Sequence, residues 1–514
     1  MSVENVDGLI FTDCVSQMGL WSRSAGAYRI ATELRALGYN IQVVDFWSYI
    51  VGEDDSRLLN VILEKFVGPS TKFVAFSTTF MSSSFQMYYG VKNADGTVPG
   101  SRRSANVLEA STELLAGMRS KIKQLAPAAD IIVAGSRVAM MDSSISDIRM
   151  IGYGEQQIKD YLRWKTGKDR LFTVPVDRNG KKLFNYNSKA TGFDFANSGI
   201  NWVEQDCVTA NECLPIEISR GCIFSCSFCS YPLNGKKKID YLKSTTVLRE
   251  EFIRNYRDYG TTNYIFSDDT FNDTQEKMDW FLELTQSLPF QIRFSTYARL
   301  DILNAKRKQI SQFKQMGAAS VFFGIESLNY ESARTIGKGC KTDAVIDTLY
   351  QCRSEWGSDV VSMGGVIAGL PHDTMETMTD WVGRLSHPDF PLHAFEINAL
   401  FIKNPKSFVE GMFISELDRD QAKHGYVWAD GGWTNTKTGT NFADCTKFAF
   451  DSMLAADRKR RIASSTFIVS SLMSQGVSTQ DMIKYGRWGV LDERGIINKS
   501  YAQTTAYMGR ILSL

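Results

Sequence analysis

The chain alternates short apolar runs with longer amphipathic stretches, and the two periods predict strands and helices in turn. Gly8–Thr12, Ile41–Phe46, Phe73–Ser77, Ile131–Ala134 and Arg149–Ile151 read as strands. Between them the 3.6-residue spacing predicts helices over Ala25–Leu37, Arg57–Phe66, Ser104–Leu125 and Gln156–Trp164, the first ended by Gly38. Strands alternating with helices predict a doubly wound parallel sheet over residues 1–165. Ligands in such sheets sit beyond the C-terminal strand ends. Those ends are Asp13–Ser24, Ser77–Ser84, Gly135–Val138 and Gly152–Glu155. Met87–Arg103, with its glycines and Pro99, reads as an inserted surface loop.

Residues 166–205 are polar and read as a linker, with Asp177–Lys182 (DRNGKK) as a hairpin turn. The alternation resumes over residues 206–402. Strands are predicted at Pro215–Ile218, Tyr264–Ser267, Gln291–Ser295, Ser320–Gly324, Val360–Ala368 and Ala394–Ala399. Helices fall between them at Ser244–Tyr259, Gln275–Leu288, Ala305–Met316, Asp343–Glu355 and Met375–Leu385. Six such units make a partial (β/α)6 barrel of the TIM type, whose chemistry belongs at the C-terminal strand ends. Residues 403–514 read as mostly helical (Lys406–Leu417, Thr446–Gln475, Thr479–Arg487) and as a candidate substrate cap. His424–Phe442, with two tryptophans, either lines a pocket or packs on the barrel. The fold class is therefore α/β: a Rossmann-like or flavodoxin-like domain, a partial barrel and a helical end.

Length, 514 residues, fits two to four domains. A net charge of +1 gives no whole-chain argument for a nucleic-acid or acidic-membrane partner. No apolar run is long enough to span a membrane, and the N-terminus lacks the pattern of a signal peptide. Nine scattered cysteines do not form a secreted disulfide framework, so a reducing cytoplasm is expected. Lys236–Lys238 read as a solvated charge run.

Three cysteines stand apart. Cys222, Cys226 and Cys229 are spaced CxxxCxxC in SRGCIFSCSFCSY, directly after a predicted strand. Thiolates this close suit a metal or a cluster. A cubane normally takes four, so three would leave one iron open. Structural zinc is the alternative and would need Cys207 or Cys213 as a fourth ligand. Cys207, Cys213, Cys340 and Cys352 lack cluster spacing and read as buried thiols.

With Phe228 before the third cysteine, the motif resembles that of the radical S-adenosylmethionine (SAM) enzymes. The resemblance implies a [4Fe–4S] cluster on Cys222, Cys226 and Cys229 and SAM on the open iron. It further implies SAM contacts from Phe228, Asp268, Asp269, Ser295, Arg299, Glu326 (in GIES), Ile367 and Gly369 (in GGVIAG). Taken singly, Asp268 and Asp269 could cap a helix, Arg299 could be a surface charge and the glycines could be turns.

The first domain resembles the cobalamin-binding domain that precedes many radical SAM domains. The matching stretches are Gly26–Asp45, Phe73–Thr79, Asp130–Val138 and Ile151–Leu162. The resemblance implies corrin contacts from Ser77, Thr78, Gly135, Gly154 and Glu155. The cobalt-ligating histidine of the DxHxxG motif has no counterpart in DCVSQMGLWSRSAG, and an empty scaffold is the alternative. The pair of domains implies a C-methyltransferase: SAM is cleaved to a 5′-deoxyadenosyl radical and methylcobalamin supplies the methyl group. An electron donor such as flavodoxin or ferredoxin is expected, with a small-molecule or peptide substrate. Rival readings are cyclisation or rearrangement with an empty first domain, or a non-catalytic iron–sulfur or corrinoid-binding protein.

Overall fold

The computed structural model describes residues 5–14, 21–51, 56–78, 112–135, 138, 143–168, 176, 180–186, 193–231, 241–408, 413–429, 431–456, 466–485 and 495–514. Strands β1 (Gly8–Phe11), β2 (Ile41–Val44), β3 (Phe73–Ser77), β4 (Asp130–Ala134), β5 (Ile148–Gly152) and β6 (Lys182–Tyr186) form one sheet in the order β2-β1-β3-β4-β5-β6. All its pairs are parallel. Apolar side chains on both faces explain why these strands read as continuous runs. On one face Ile10, Val43 and Ala75 meet α1 (Ala25–Arg35) and α5 (Gly154–Lys165). On the other, Leu9, Val44 and Val74 meet α3 (Ser56–Phe66) and α4 (Thr112–Leu125), with the short α2 (Trp47–Val51) beside them. Strand order reverses between β1 and β3, so the ligand crevice of this topology lies at their C-terminal ends.

The second sheet is also wholly parallel. Strands β7 (Leu214–Ile216), β8 (Asn263–Phe266), β9 (Arg293–Ala298), β10 (Ala318–Glu326), β11 (Val361–Ala368) and β12 (Ala394–Ala399) succeed one another in sequence order. Between them run α6 (Thr245–Tyr259), α7 (Gln275–Gln286), α8 (Leu300–Ala305), α9 (Lys308–Gln315), α10 (Tyr330–Thr335), α11 (Thr342–Trp356) and α12 (Met375–Ser386). Tyr264, Phe294 and Phe323 pack outward on these helices. Ile265, Phe322 and Met363 point the other way, as strand alternation requires. The barrel is open, and its inner face is filled by a helix from the chain's end, α15, which comes after α13 (Glu416–Arg419) and α14 (Phe442–Ala455). Helix α15 (Thr466–Ser474) lays Ile468, Val469 and Leu472 against that face, with Thr466 donating to the Tyr297 hydroxyl at 2.9 Å.

The last helices are α16 (479–485) and α17 (Ile496–Ser513). Helix α17 returns to the first sheet. Tyr507 stands edge-on to Trp21 and Phe46, and its hydroxyl accepts from the Asp45 amide at 3.1 Å. Buried ion pairs also join the two sheets. Arg23, fully enclosed, meets Glu212 at 2.5 Å and donates to the Asp206 and Cys207 carbonyls. Arg35 holds Asp206 through both Nη atoms. Among the described residues no helix is long and apolar enough to cross a membrane.

Several expectations are corrected. The linker contains an element: Lys182–Tyr186 pairs with β5 as an edge strand, while Val176 bridges Lys182 antiparallel, as a hairpin would. Residues 177–179 of that hairpin lie outside the described residues. Lys406–Leu417 is not one helix. Pro405 starts a 3-10 turn capped by Asn404, and Ser415 caps the separate α13. Thr446–Gln475 divides because Ala456 is extended and ends α14. The tryptophan-rich loop is a hairpin, β13 (Tyr426–Ala429) with β14 (Gly432–Asn435), packed on the barrel. Met87–Arg103 and Lys236–Lys238 lie outside the described residues.

Glu212→Gln leaves the buried Arg23 without its countercharge. A buried pair broken on one side typically costs about 3–5 kcal/mol. A marked fall in the chemical-denaturation midpoint is expected, whereas the exposed pair Lys308–Asp279 is expected to cost less than about 1 kcal/mol when broken.

Candidate active site

Strand β7 is only three residues long, too short to hold the cysteine loop behind it in place. Asp268, at the end of β8, supplies the hold. Its Oδ1 accepts from the amides of Ile218 and Ser219 at 2.9 and 3.1 Å. Its Oδ2 accepts from the Ser219 hydroxyl at 2.6 Å and from Lys277 Nζ at 3.1 Å. Lys277 is fully buried in the first turn of α7 and also donates to the Thr270 carbonyl. The far end of the loop is fixed by backbone. The Ser227 amide donates to the Ile336 carbonyl, and the Ser227 carbonyl accepts from the Leu417 amide.

Cys222 and Cys226 stand between these two anchors and Cys229 follows the second by two residues; none of the three is in a disulfide. Cys222 is buried, and burial raises its thiol above the ordinary range; it lies 3.5 Å from the Thr270 hydroxyl. Cys226 Sγ accepts from Arg299 Nη1 at 3.0 Å. Gly337, at φ +88°, leaves room beside Cys226, where a Cβ would meet its Cα at 3.6 Å. The Ser227 hydroxyl is buried in the same loop without a hydrogen-bond partner among the described residues. Among the described residues no three His, Cys, Asp or Glu side chains converge on a single-ion site. The two cysteines, either of which mononuclear zinc would need as a fourth ligand, lie elsewhere. Cys213 sits in the packing on the barrel's inner face and Cys207 in the first domain's core. Three cysteines outside any disulfide, on and just after a pinned loop, beside a guanidinium and a buried hydroxyl without a partner among the described residues, fit a cluster held by three protein ligands.

The predicted SAM residues fall into different places. Arg299 is turned to the loop: Asp301 binds its Nε and Nη2 at 3.0 and 2.5 Å, and Phe224 lies 3.8 Å from its guanidinium. Glu326 joins the same group through Lys338, 3.3 Å away. It holds φ +64° at a bulge in β10, a strained conformation for a residue with a Cβ. Asp269 lies beside the loop and accepts from the Gly221 amide. Burial, then the Asp268 charge, raises its carboxyl to about 7. Asp268 is committed to anchoring, with both oxygens occupied. Ser295 is buried across from Ser320 at 2.5 Å. Phe228 and Ile367 are half-buried at the edge of the core. Gly369, at φ +90°, is required by packing: a Cβ there would meet Trp433 at 2.5 Å and Cys445 at 2.8 Å.

Arg220, missed in the sequence, connects the loop to the first domain. It pairs with Glu155 at 2.7 Å and Glu217 at 2.8 Å, and lies over Tyr153 and Phe195 at 4.6 and 4.8 Å. Burial opposes its charge, but Glu217 and Glu155 hold its proton more tightly than usual. Burial likewise opposes the Glu217 charge. Arg220, Arg29 and Lys243 outweigh it and hold that carboxyl well below the usual range. Glu155 therefore faces the cysteine loop. Gly154 is glycine because Ile30 of α1 would lie 2.9 Å from a Cβ.

At the first domain's switch point, Thr12 and Thr78 come directly after β1 and β3. Both hydroxyls are buried and lack partners among the described residues. Ser77 is half-buried beside them, and Gly135, at φ +122°, closes the end of β4 by donating to the Met150 carbonyl. Buried hydroxyls without partners are costly unless a ligand satisfies them, and this crevice fits one with polar groups, as a corrinoid has. Thr79 and the rest of that loop lie outside the described residues.

An open parallel barrel with a three-cysteine loop after its first strand defines the radical SAM class. Residues 216–384, which span the second sheet as far as α12, match the radical SAM superfamily. Over 159 residues the chain is 31% identical to an uncharacterized methyltransferase of Pyrococcus horikoshii, spanning 31% of this chain and 33% of that relative. The match thus covers about a third of the relative's length. Radical S-adenosylmethionine methyltransferase TsrM from Kitasatospora setae, solved with tryptophan substrate and a SAM analogue, is similar over 97% of this chain and 100% of its own. The TM-score is 0.63 at 12% identity. The cobalamin-dependent SAM radical enzyme OxsB, solved with aqua-cobalamin and SAM, gives 0.53 at 12% identity over 98% of this chain and 72% of its own. At such identities the likeness is one of fold, and it runs through both sheets and the helical end.

Lys277→Met removes the countercharge of Asp268 and frees one end of the loop. Iron retained after anaerobic reconstitution is expected to fall several-fold. The exposed Lys308→Met, in the neighbouring helix α9, is expected to retain it.

Asp373, buried after β11, accepts from the Ser332 hydroxyl and the Leu370 amide, and burial raises its carboxyl to about 7. The folded state thus binds a proton that the unfolded state, titrating near 3.9, releases. Its contribution to stability is full below about pH 4 and is lost as pH rises to about 7. Asp373→Asn is expected to flatten that component of the stability profile, read from denaturation midpoints between about pH 5 and 8.

Proposed function

We propose that the chain is a cobalamin-dependent radical SAM C-methyltransferase acting on a small-molecule or peptide substrate. One observation carries the reading. The cysteine loop of the radical SAM domain is bonded, through Arg220 and Glu155, to a first domain whose switch-point crevice presents two buried hydroxyls without a partner among the described residues. The Pyrococcus horikoshii relative is named a methyltransferase, TsrM is a radical SAM methyltransferase, and OxsB was solved with aqua-cobalamin bound; all three support the reading. When bound, the cluster supplies the electron that cleaves SAM to a 5′-deoxyadenosyl radical, and the corrinoid supplies the methyl group.

The chain's own residues position these groups. Cys222, Cys226 and Cys229 hold the cluster, leaving one iron open. Asp268 and Lys277 fix the loop. Asp269 and Glu326 are the carboxylates left to meet the SAM ammonium, and Ile367 flanks the adenine. Thr12, Ser77, Thr78 and Gly135 line the corrinoid crevice, whereas Gly154 and Glu155 serve packing and domain contact. Helix α15 packs on the barrel's inner face, and hairpin β13–β14 is held to the chain after β11 and β12 by Tyr426 and Trp433, which donate to the Gly369 and Leu400 carbonyls. The electron comes from a protein reductant of the flavodoxin or ferredoxin class.

Chain produced with a cobalamin supply and purified without oxygen is expected to carry one corrinoid and about four irons, the content of one cubane. Replacement of Cys222, Cys226 and Cys229 by alanine is expected to abolish the iron and spare the corrinoid. With methyl-labelled SAM, label should appear on a carbon of the acceptor. Four irons without corrinoid would overturn the methyl-transfer reading and favour another radical reaction. Iron unchanged by the cysteine substitutions would overturn the enzyme reading altogether.

A further inference from the structure

The sequence motif places Arg299 against SAM, yet four of its five guanidinium N–H groups are engaged elsewhere. Nε and one Nη2 bond go to the Asp301 carboxylate, and a second Nη2 bond goes to the Gly337 carbonyl at 3.1 Å. The plane lies over the Phe224 ring, and the residue is only 4% exposed. These partners fix the fork, and one of the two Nη1 N–H groups points at Cys226 Sγ, 3.0 Å away. A salt bridge alone would need only the Asp301 contacts. The carbonyl, the ring and the sulfur together make a mount that aims one N–H at one cluster ligand.

We infer that Arg299 is a positioning residue that sets the reduction potential of the cluster through its N–H to the Cys226 sulfur. The inference rests on the proposed function, because it needs the cluster. Hydrogen bonds to ligand sulfurs and the net charge around a cluster are what proteins use to set its potential. One electron from a low-potential donor takes the cluster from [4Fe–4S]2+ to [4Fe–4S]1+, with no bond broken. The added negative charge spreads onto the thiolate sulfurs. A guanidinium N–H on one of them, screened from water, stabilises the reduced form more than the oxidised one. Arg299 therefore makes the cluster easier to reduce. Asp301 offsets part of that charge, and its main effect is to hold the fork.

The test uses the whole chain, reconstituted with iron and sulfide without oxygen, in the parent, Arg299→Gln and Arg299→Lys. Iron is counted, and the midpoint is read from a redox titration monitored by electron paramagnetic resonance, without SAM. Arg299→Gln is expected to lower the equilibrium constant for reduction about tenfold, a shift of about 59 mV to the negative for a one-electron couple. Arg299→Lys keeps the charge but not the fork, and is expected to shift the midpoint the same way by less. Full iron with an unmoved midpoint in Arg299→Gln would overturn the inference alone. If that variant takes up no iron, Arg299→Lys decides: a negative shift supports the inference and an unmoved midpoint overturns it. Loss of iron from both variants would also overturn it, in favour of a role in holding the loop. A parent that takes up no iron would overturn the functional reading, and this inference with it.

Discussion

The site depends on one carboxylate. Asp268 gathers two backbone amides, a hydroxyl and a lysine at the point where the shortest barrel strand gives way to the cysteine loop. A three-residue strand offers the loop little support of its own. The buried Lys277 offsets part of the cost of burying the Asp268 side chain, since a paired and hydrogen-bonded group escapes much of the penalty of burial. Everything downstream, including the direction of Cys222 and the reach of Arg299 to Cys226, starts from that fixed point.

A second set of charges extends the constraint across the molecule. Arg220 belongs to the cysteine loop, yet its partners include Glu155 at the start of α5 in the first domain. Arg29 of α1 reaches the same Glu217 that Arg220 holds. The loop is thus bonded to both domains at once, and Arg23–Glu212 and α17 keep those domains from separating. On the proposed function, a radical reaction shared between two cofactors would need their distance fixed. Buried ion pairs, which lose strength when misaligned, fix it more sharply than apolar contact does.

Strand and helix periods made most of the fold legible, because both sheets are parallel and buried on both faces. Edge strand β6 escaped because Lys182–Tyr186 is short and polar-flanked, and only pairing with β5 makes it a strand. The division of the C-terminal helices escaped because Ala456 ends α14 through backbone conformation, which composition does not show. Within the site, the cysteine spacing was explicit. The roles of Asp268, Arg299, Glu155 and Gly369 were not, since each is decided by a partner distant in sequence: Ser219, Cys226, Arg220 and Trp433. Lys277 carried a local signal that could have been used, a lysine nine residues after Asp268 and four after Asp273, in the first turn of a helix.

The three-cysteine loop is proposed to hold a cluster with one iron free for SAM, and every other role in the site rests on that. The direct measurement is the electron paramagnetic resonance spectrum of the reduced, reconstituted protein before and after SAM is added. Binding of the SAM amino and carboxylate groups to the open iron changes the electronic surroundings of the cluster, so a clear shift in the signal's g values is expected at saturating SAM. A cubane signal that SAM leaves unchanged, in protein shown to bind SAM, would contradict it.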